Sequence, residues 1–145
     1  LIVLLFVALL IFSFNFPAYE YLLPFWYLQH QIILYSGLAF IHIALLWVVI
    51  AQFQMSKSWR IGIDEENKTE LVTVGLFSIS RNPIFLGMIL SVTGIFLIIP
   101  NVLTFFLCLF TYFVIQIQIR LEEEFLIKQH GDEYLHYKQK TRRLL

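Results

Sequence analysis

The chain has 145 residues, of which 59% are hydrophobic and 14% charged, and ten Lys and Arg balance ten Asp and Glu. A soluble domain carries roughly 45–50% apolar and about 25% charged residues, and one small core cannot hide 15 Phe without exposing apolar patches, so lipid is the expected solvent. The zero net charge gives no support to a nucleic-acid or acidic partner, and the single cysteine, Cys108, excludes an internal disulfide framework and a Cys-based metal cluster.

Leu1 to Phe16 is apolar and has no basic n-region or small-residue cleavage site, so it reads as a shortened first membrane span rather than a secretory signal. The loop from Phe16 to His30 has no Lys or Arg, and its Tyr19, Tyr21, Trp26 and Tyr27 are expected to form an aromatic belt at one interface. Gln31 to Gln54 follows as a second span. Ser56 to Asn82 is a polar connection, with enough Thr and Val to suggest an ordered loop.

Pro83 to Pro100 and Asn101 to Ile119 are the third and fourth uncharged segments, each near the roughly 20 residues that cross about 30 Å of hydrocarbon. Pro100-Asn101 between them predicts a tight antiparallel hairpin. Gly87, Ser91 and Gly94 offer small positions for close approach by another helix. Arg120 to Lys140 then reads as a helix broken near Gly131 and lying against the membrane, with Phe125, Leu126, Tyr134 and Tyr137 on apolar positions. The expected architecture is all-α and integral to the membrane, with about four transmembrane helices, a C-terminal helical hairpin and a cytoplasmic amphipathic helix. It divides into N-terminal transmembrane helices (1–55) and a core (56–145).

Lys57, Arg60, Lys68 and Arg81 lie between spans two and three, and the other six basic residues run from Arg120 to Arg143. All ten fall on one side of the expected topology, which the positive-inside rule makes cytoplasmic.

The hairpin brings Arg81-Asn82-Pro83 next to Glu122-Glu123-Glu124. Three adjacent carboxylates at a membrane boundary beside Arg81 and Arg120 suit a binding site, but on the residues alone a solvated, ion-paired helix end is the favoured reading. The six glycines never take the G-x-G-x-x-G spacing of a Rossmann site. The histidines, His30, His42, His130 and His136, lack metal-ligand spacing, so no metal is expected. His42, inside the second span, reads as an interhelical hydrogen-bonding group.

Trp59-Arg60, Leu71-Val72-Thr73-Val74-Gly75-Leu76-Phe77, Arg81-Asn82-Pro83-Ile84-Phe85, Glu122-Glu123-Glu124, Gly131-Asp132-Glu133-Tyr134-Leu135-His136-Tyr137 and Thr141-Arg142-Arg143 follow one another in that order. This set resembles the isoprenylcysteine carboxyl methyltransferase and phospholipid methyltransferase superfamily from about residue 56 to the end. The resemblance implies a short, bacterial-type integral enzyme of the cytoplasmic membrane. It implies S-adenosylmethionine as cofactor and methyl transfer to a lipid or lipid-modified acceptor, either a carboxylate of an isoprenylcysteine-like molecule or a phospholipid amine. Carried over residue by residue, the cofactor set is Thr69, Leu71, Val72, Phe77, Arg81, Asn82, Pro83, Ile84, Phe85 and Glu122. The sequence departs from the family pattern at Asn82, Phe85 and Thr69, which stand where the family usually has His, Tyr and His, and at Gln118, which stands at the place of a substrate-associated Arg. Arg120, two residues later, and Glu123 are the candidate catalytic residues: the Arg for a carboxylate acceptor, the Glu as base for an amine. Two rival readings are a non-catalytic membrane scaffold and a related NADPH-dependent membrane reductase.

Overall fold

A computed structural model describes residues 2–14, 16–55 and 70–145. The described residues form α1 (Ile2–Phe14), α2 (Phe16–Tyr19), α3 (Gln31–Met55), α4 (Pro83–Ile98), α5 (Val102–His130) and α6 (Asp132–Lys140), with short 3-10 turns between some of them. Pairing outside helices is limited, among these residues, to two isolated β-bridges. Helices α3 and α5 are long and apolar enough to cross a membrane, with mean hydropathies of 2.3 and 2.1 over their most apolar stretches. Helices α1 and α4 are shorter and apolar.

The tightest packing joins α3 to α4 in antiparallel fashion. Gly37, Ala44 and Ala51 are the buried residues of α3, seven apart and therefore on one stripe, and Gly87 and Gly94 on α4 repeat the interval. A Cβ on Gly94 would come within 2.8 Å of the Gly37 carbonyl oxygen and 2.7 Å of Ile41 Cγ1. Small residues permit this approach in a medium where dispersion contacts, not water exclusion, hold helices together. Of the three small positions expected to serve it, Gly87 and Gly94 do. Ser91 is half-buried, and its hydroxyl donates to the Gly87 carbonyl at 2.9 Å. Trp47 Nε1 ties the far end of the pair by donating to the Pro83 carbonyl at 3.0 Å.

Helix α5 folds back along α4 after Ile99-Pro100-Asn101. Asn101 closes a capping box, accepting from the Thr104 amide at 2.9 Å while its own amide donates to the Thr104 hydroxyl at 3.3 Å. The preceding loop seals this end: Phe25 N–H donates to the Pro100 carbonyl at 2.9 Å, and the buried Tyr19 hydroxyl reaches the same carbonyl at 3.3 Å. Tyr19 is therefore not part of an interfacial belt, whereas Tyr21, Trp26 and Tyr27 are exposed.

Two further expectations change. The fourth span and the helix after it are one continuous helix of 29 residues, because no Gly or Pro interrupts Val102 to His130. At 1.5 Å per residue it is about 43 Å long, longer than the hydrocarbon, so its charged turns from Arg120 onward extend past the apolar part. The break falls at Gly131, whose φ of 55° favours glycine. His42 is not interhelical: its Nδ1 bonds the Leu38 carbonyl of its own helix at 2.7 Å. Lys57, Arg60 and Lys68 lie outside the described residues.

Gly94→Ala is expected to lower stability by roughly 1–3 kcal/mol, the usual range for overpacking, seen as a lower Tm in detergent. Ser91→Ala is expected to leave Tm nearly unchanged.

Candidate functional site

Pro83 opens α4 at its first turn, where its missing N–H goes unmissed, and the three residues before it are held by the chain's C-terminal segment. Arg81 N–H donates to the Arg142 carbonyl at 2.9 Å, Asn82 Nδ2 donates to the Arg143 carbonyl at 2.9 Å, and Ser80 forms a parallel bridge with Arg142. Residues 141–143 are thus strapped across the start of α4.

One carboxylate anchors the strap. Glu123, with a side chain 4% exposed, accepts from Arg81 Nη2 at 2.8 Å and from Arg143 Nη2 at 3.0 Å, and faces Lys138 Nζ at 3.2 Å. Arg143 Nε adds a bond to Glu123 Oε1 at 3.2 Å. The Arg81 side chain is 8% exposed. Its Nη1 also donates to the carbonyls of Lys138, at 2.9 Å, and Thr141. The adjacent carboxylate raises the affinity of Arg143 for its proton.

Helix α6 supplies the next layer. Tyr134 and Tyr137 are buried with ring centroids 5.9 Å apart in an edge-on arrangement, and the Tyr137 hydroxyl donates to the Phe77 carbonyl at 2.5 Å. Burial, reinforced by the Glu123 charge, pushes Tyr134 up to about 12, and burial raises Tyr137 as well. Both phenols therefore stay protonated at neutral pH and can donate. From the other side, Gln54 at the end of α3 accepts from the Leu76 N–H at 2.8 Å. Gly75 turns the chain there with a φ of 63°, and any Cβ on it would strike that Gln54 side chain.

These elements enclose a small cavity of about 80 Å³ lined by Leu71, Val72, Phe77 and Arg81, with Glu70, Leu126 and Tyr137 among its other walls. Arg81 Nε is buried without a hydrogen-bond partner that meets the usual geometry among the described residues, and both Nη atoms are committed, to Glu123 and to backbone carbonyls. Cofactor sites usually enclose about 300–1,000 Å³, so this cavity alone is too small to hold a cofactor whole.

A family model described as phospholipid methyltransferase matches residues 32–133. The chain belongs to the phospholipid methyltransferase family. Neither the curated proteins nor the solved structures give a match. The phospholipid methyltransferase match runs from the start of α3 into α6, so it takes in both Arg81 and Glu123. The apolar helices agree with a family of membrane methyltransferases acting on lipids.

Of the residues expected to meet a cofactor, Leu71, Val72, Phe77 and Arg81 come together on the cavity. Asn82 and Pro83 are buried behind it, with the Asn82 amide committed to the strap. Ile84 and Phe85 are half-buried on the first turn of α4. Glu122 is half-buried on α5 and accepts from Gln118 Nε2 at 3.3 Å, and Thr69 lies outside the described residues. Arg120 is exposed and has no ion pair among the described residues. Glu123 is a weak proton acceptor: burial pushes its carboxyl up, but hydrogen bonds from Arg143, Arg81 and Lys138 outweigh this and hold it at about 2, and its oxygens are committed to those three cations. Gln54 and Lys138 are contributors that sequence reasoning did not find. Their partners lie 15 or more residues away, and neither belongs to a recognisable motif.

Glu123→Gln is expected to cost about 3 kcal/mol or more, because it leaves the buried Arg81 guanidinium without its counter-charge. Thermal unfolding should detect this as a large fall in Tm, while Glu124→Gln, at an exposed position, should have little effect.

Proposed function

We propose that the protein is an S-adenosylmethionine-dependent methyltransferase that acts on a lipid acceptor at the cytoplasmic face of a bacterial inner membrane, with α1, α3, α4 and the apolar part of α5 as its four spans. The observation that carries this reading is the convergence of Leu71, Val72, Phe77 and Arg81 on one cavity in a phospholipid methyltransferase family member. The residues fit the cofactor's chemistry: Leu71, Val72 and Phe77 offer apolar and aromatic surface to an adenosine, and Arg81 places a guanidinium charge on the same cavity, where it attracts a carboxylate. When bound, the cofactor supplies a methyl group already activated on a sulfonium. The protein's own task is to hold the acceptor in line with that group and to keep water away.

The Glu123 cluster keeps Arg81 in place and the strap closed, which preorganises the cationic wall. Arg120 lies at the start of the charged turns of α5, where a solvent-facing guanidinium can meet an anionic part of the acceptor. The basic residues at this end, Arg81, Arg120, Lys138, Arg142 and Arg143 among them, support its cytoplasmic orientation.

Calorimetry on the purified protein tests the cofactor assignment. S-adenosylmethionine should bind and NADPH should not. Leu71→Ala combined with Val72→Ala should weaken binding about tenfold or more, equivalent to roughly 1.4 kcal/mol or more, with Tm little changed. Binding of NADPH instead would favour a reductase. Arg120→Ala should raise KM for the lipid acceptor and leave cofactor affinity intact, and loss of both together would make Arg120 structural.

A further inference from the structure

The turn that presents Phe77 to the small cavity is capped from a distance. Gly75–Ser78 is a single 3-10 turn, and Leu76 lies near its start, where an N–H finds no carbonyl within the turn. Such a group is usually taken by a side-chain oxygen on the residue before the turn. Here that residue is Val74, which has no acceptor and makes no cap. The acceptor comes from α3 instead: Gln54 Oε1, 22 positions away in the chain, receives the Leu76 N–H at 2.8 Å.

The place of Gln54 is fixed by its own helix. Ala51, the last of the buried stripe of α3, precedes Gln54 and Met55 by three and four residues, so both leave the helix on that face. Met55 lines the cavity, and so does Phe77, the neighbour of Leu76. The bond between Gln54 and Leu76 therefore lies one residue from a cavity wall on each element and sets the separation of the two walls. Gly75 is fitted to the same contact. Its φ of 63° favours glycine, and a Cβ there would strike the Gln54 amide, so the turn closes on Gln54 only because residue 75 has no side chain. The Tyr137 hydroxyl holds the Phe77 carbonyl independently, from α6.

We propose that Gln54 is a positioning residue for S-adenosylmethionine: by capping the Leu76 N–H it holds Phe77 at the separation from Met55 that the adenosine part of the cofactor needs. The inference rests on the methyltransferase reading above and adds to its site a residue that does not itself line the cavity. Without the acceptor, the Leu76 N–H must find water or another carbonyl, and the turn shifts to supply it. Apolar surface that the adenosine would have met already in place then has to be reordered on binding, which weakens affinity.

Calorimetry with S-adenosylmethionine on the full chain in detergent tests this. Gln54→Leu, which keeps the bulk and removes the acceptor, should weaken binding about tenfold, whereas Gln54→Glu, which keeps an oxygen at that place, should stay within about threefold of wild type. Gly94→Ala serves as the control for lost stability alone, because it strains the α3–α4 contact beside Gly37, at the other end of α3. It should bind the cofactor as wild type does even where its Tm falls further than that of Gln54→Leu. Should Gln54→Leu not fold, Gln54→Ala, which admits water to the Leu76 N–H, takes its place with the same expected loss. Affinity that survives removal of the acceptor, or that falls equally with Gln54→Glu or with Gly94→Ala, overturns the role of Gln54 and leaves the methyltransferase reading intact. Absence of S-adenosylmethionine binding by the wild type sinks that reading, and the role of Gln54 with it.

Discussion

Three separate parts of the chain meet at the Glu123 carboxylate: Arg81 from the segment before α4, Lys138 from α6 and Arg143 from the C-terminal strap. A buried charge is tolerable only when it is paired and fully hydrogen-bonded, and here the pairing is mutual, because the Arg81 guanidinium is equally buried. Neither side chain can change without stranding the other. The strap, the loop before α4 and the last turns of α5 are thus tied to one another by a single acid, at the end of the bundle where the apolar helices give way to charge.

The opposite end and the middle are held by different means. Helices α3 and α4 approach through Gly37 and Gly94, close enough that their backbones touch, while the Asn101 capping box and the buried Tyr19 fix the turn into α5. This rigid pair sets the position of Gln54, which in turn receives the Leu76 N–H. The segment bearing Leu71, Val72 and Phe77 is therefore pinned between the end of α3 and the Tyr137 hydroxyl of α6. In the proposed reading this segment is a binding wall, and one built in this way is preorganised, since its side chains are fixed by contacts that a ligand does not have to make.

Much of this was legible in the sequence, and the reasons are physical. Uncharged segments of near-membrane length announce apolar helices whatever their neighbours do, and Pro100-Asn101 can only turn the chain. The nearness of Arg81 to Glu123 followed from the length of α4 and α5 alone. What could not be read were partnerships set by tertiary geometry. Glu123 looked like one of three equivalent carboxylates, yet helical phase turns it inward toward three cations and leaves Glu124 outside. Asn82 resembled a cofactor ligand, and its amide is occupied by the Arg143 carbonyl. Tyr19 read as interfacial because it has aromatic neighbours, and tertiary contacts that include the Phe12 ring and the Pro100 carbonyl bury it. His42 looked interhelical for want of knowledge that its own Leu38 carbonyl was in reach.

In the proposed reading, the Glu123 cluster matters for methyl transfer only through what it holds, the Arg81 wall and the strap above it. Amide hydrogen exchange on wild type and Glu123→Gln in detergent, read at residues 76–82 and across α3, addresses that claim directly. The account predicts that the Arg81 N–H, bonded to the Arg142 carbonyl, and its neighbours lose protection in the variant while the α3 amides facing α4 keep theirs. Unchanged protection at Arg81 would contradict it, because the strap would then be held by something other than this acid.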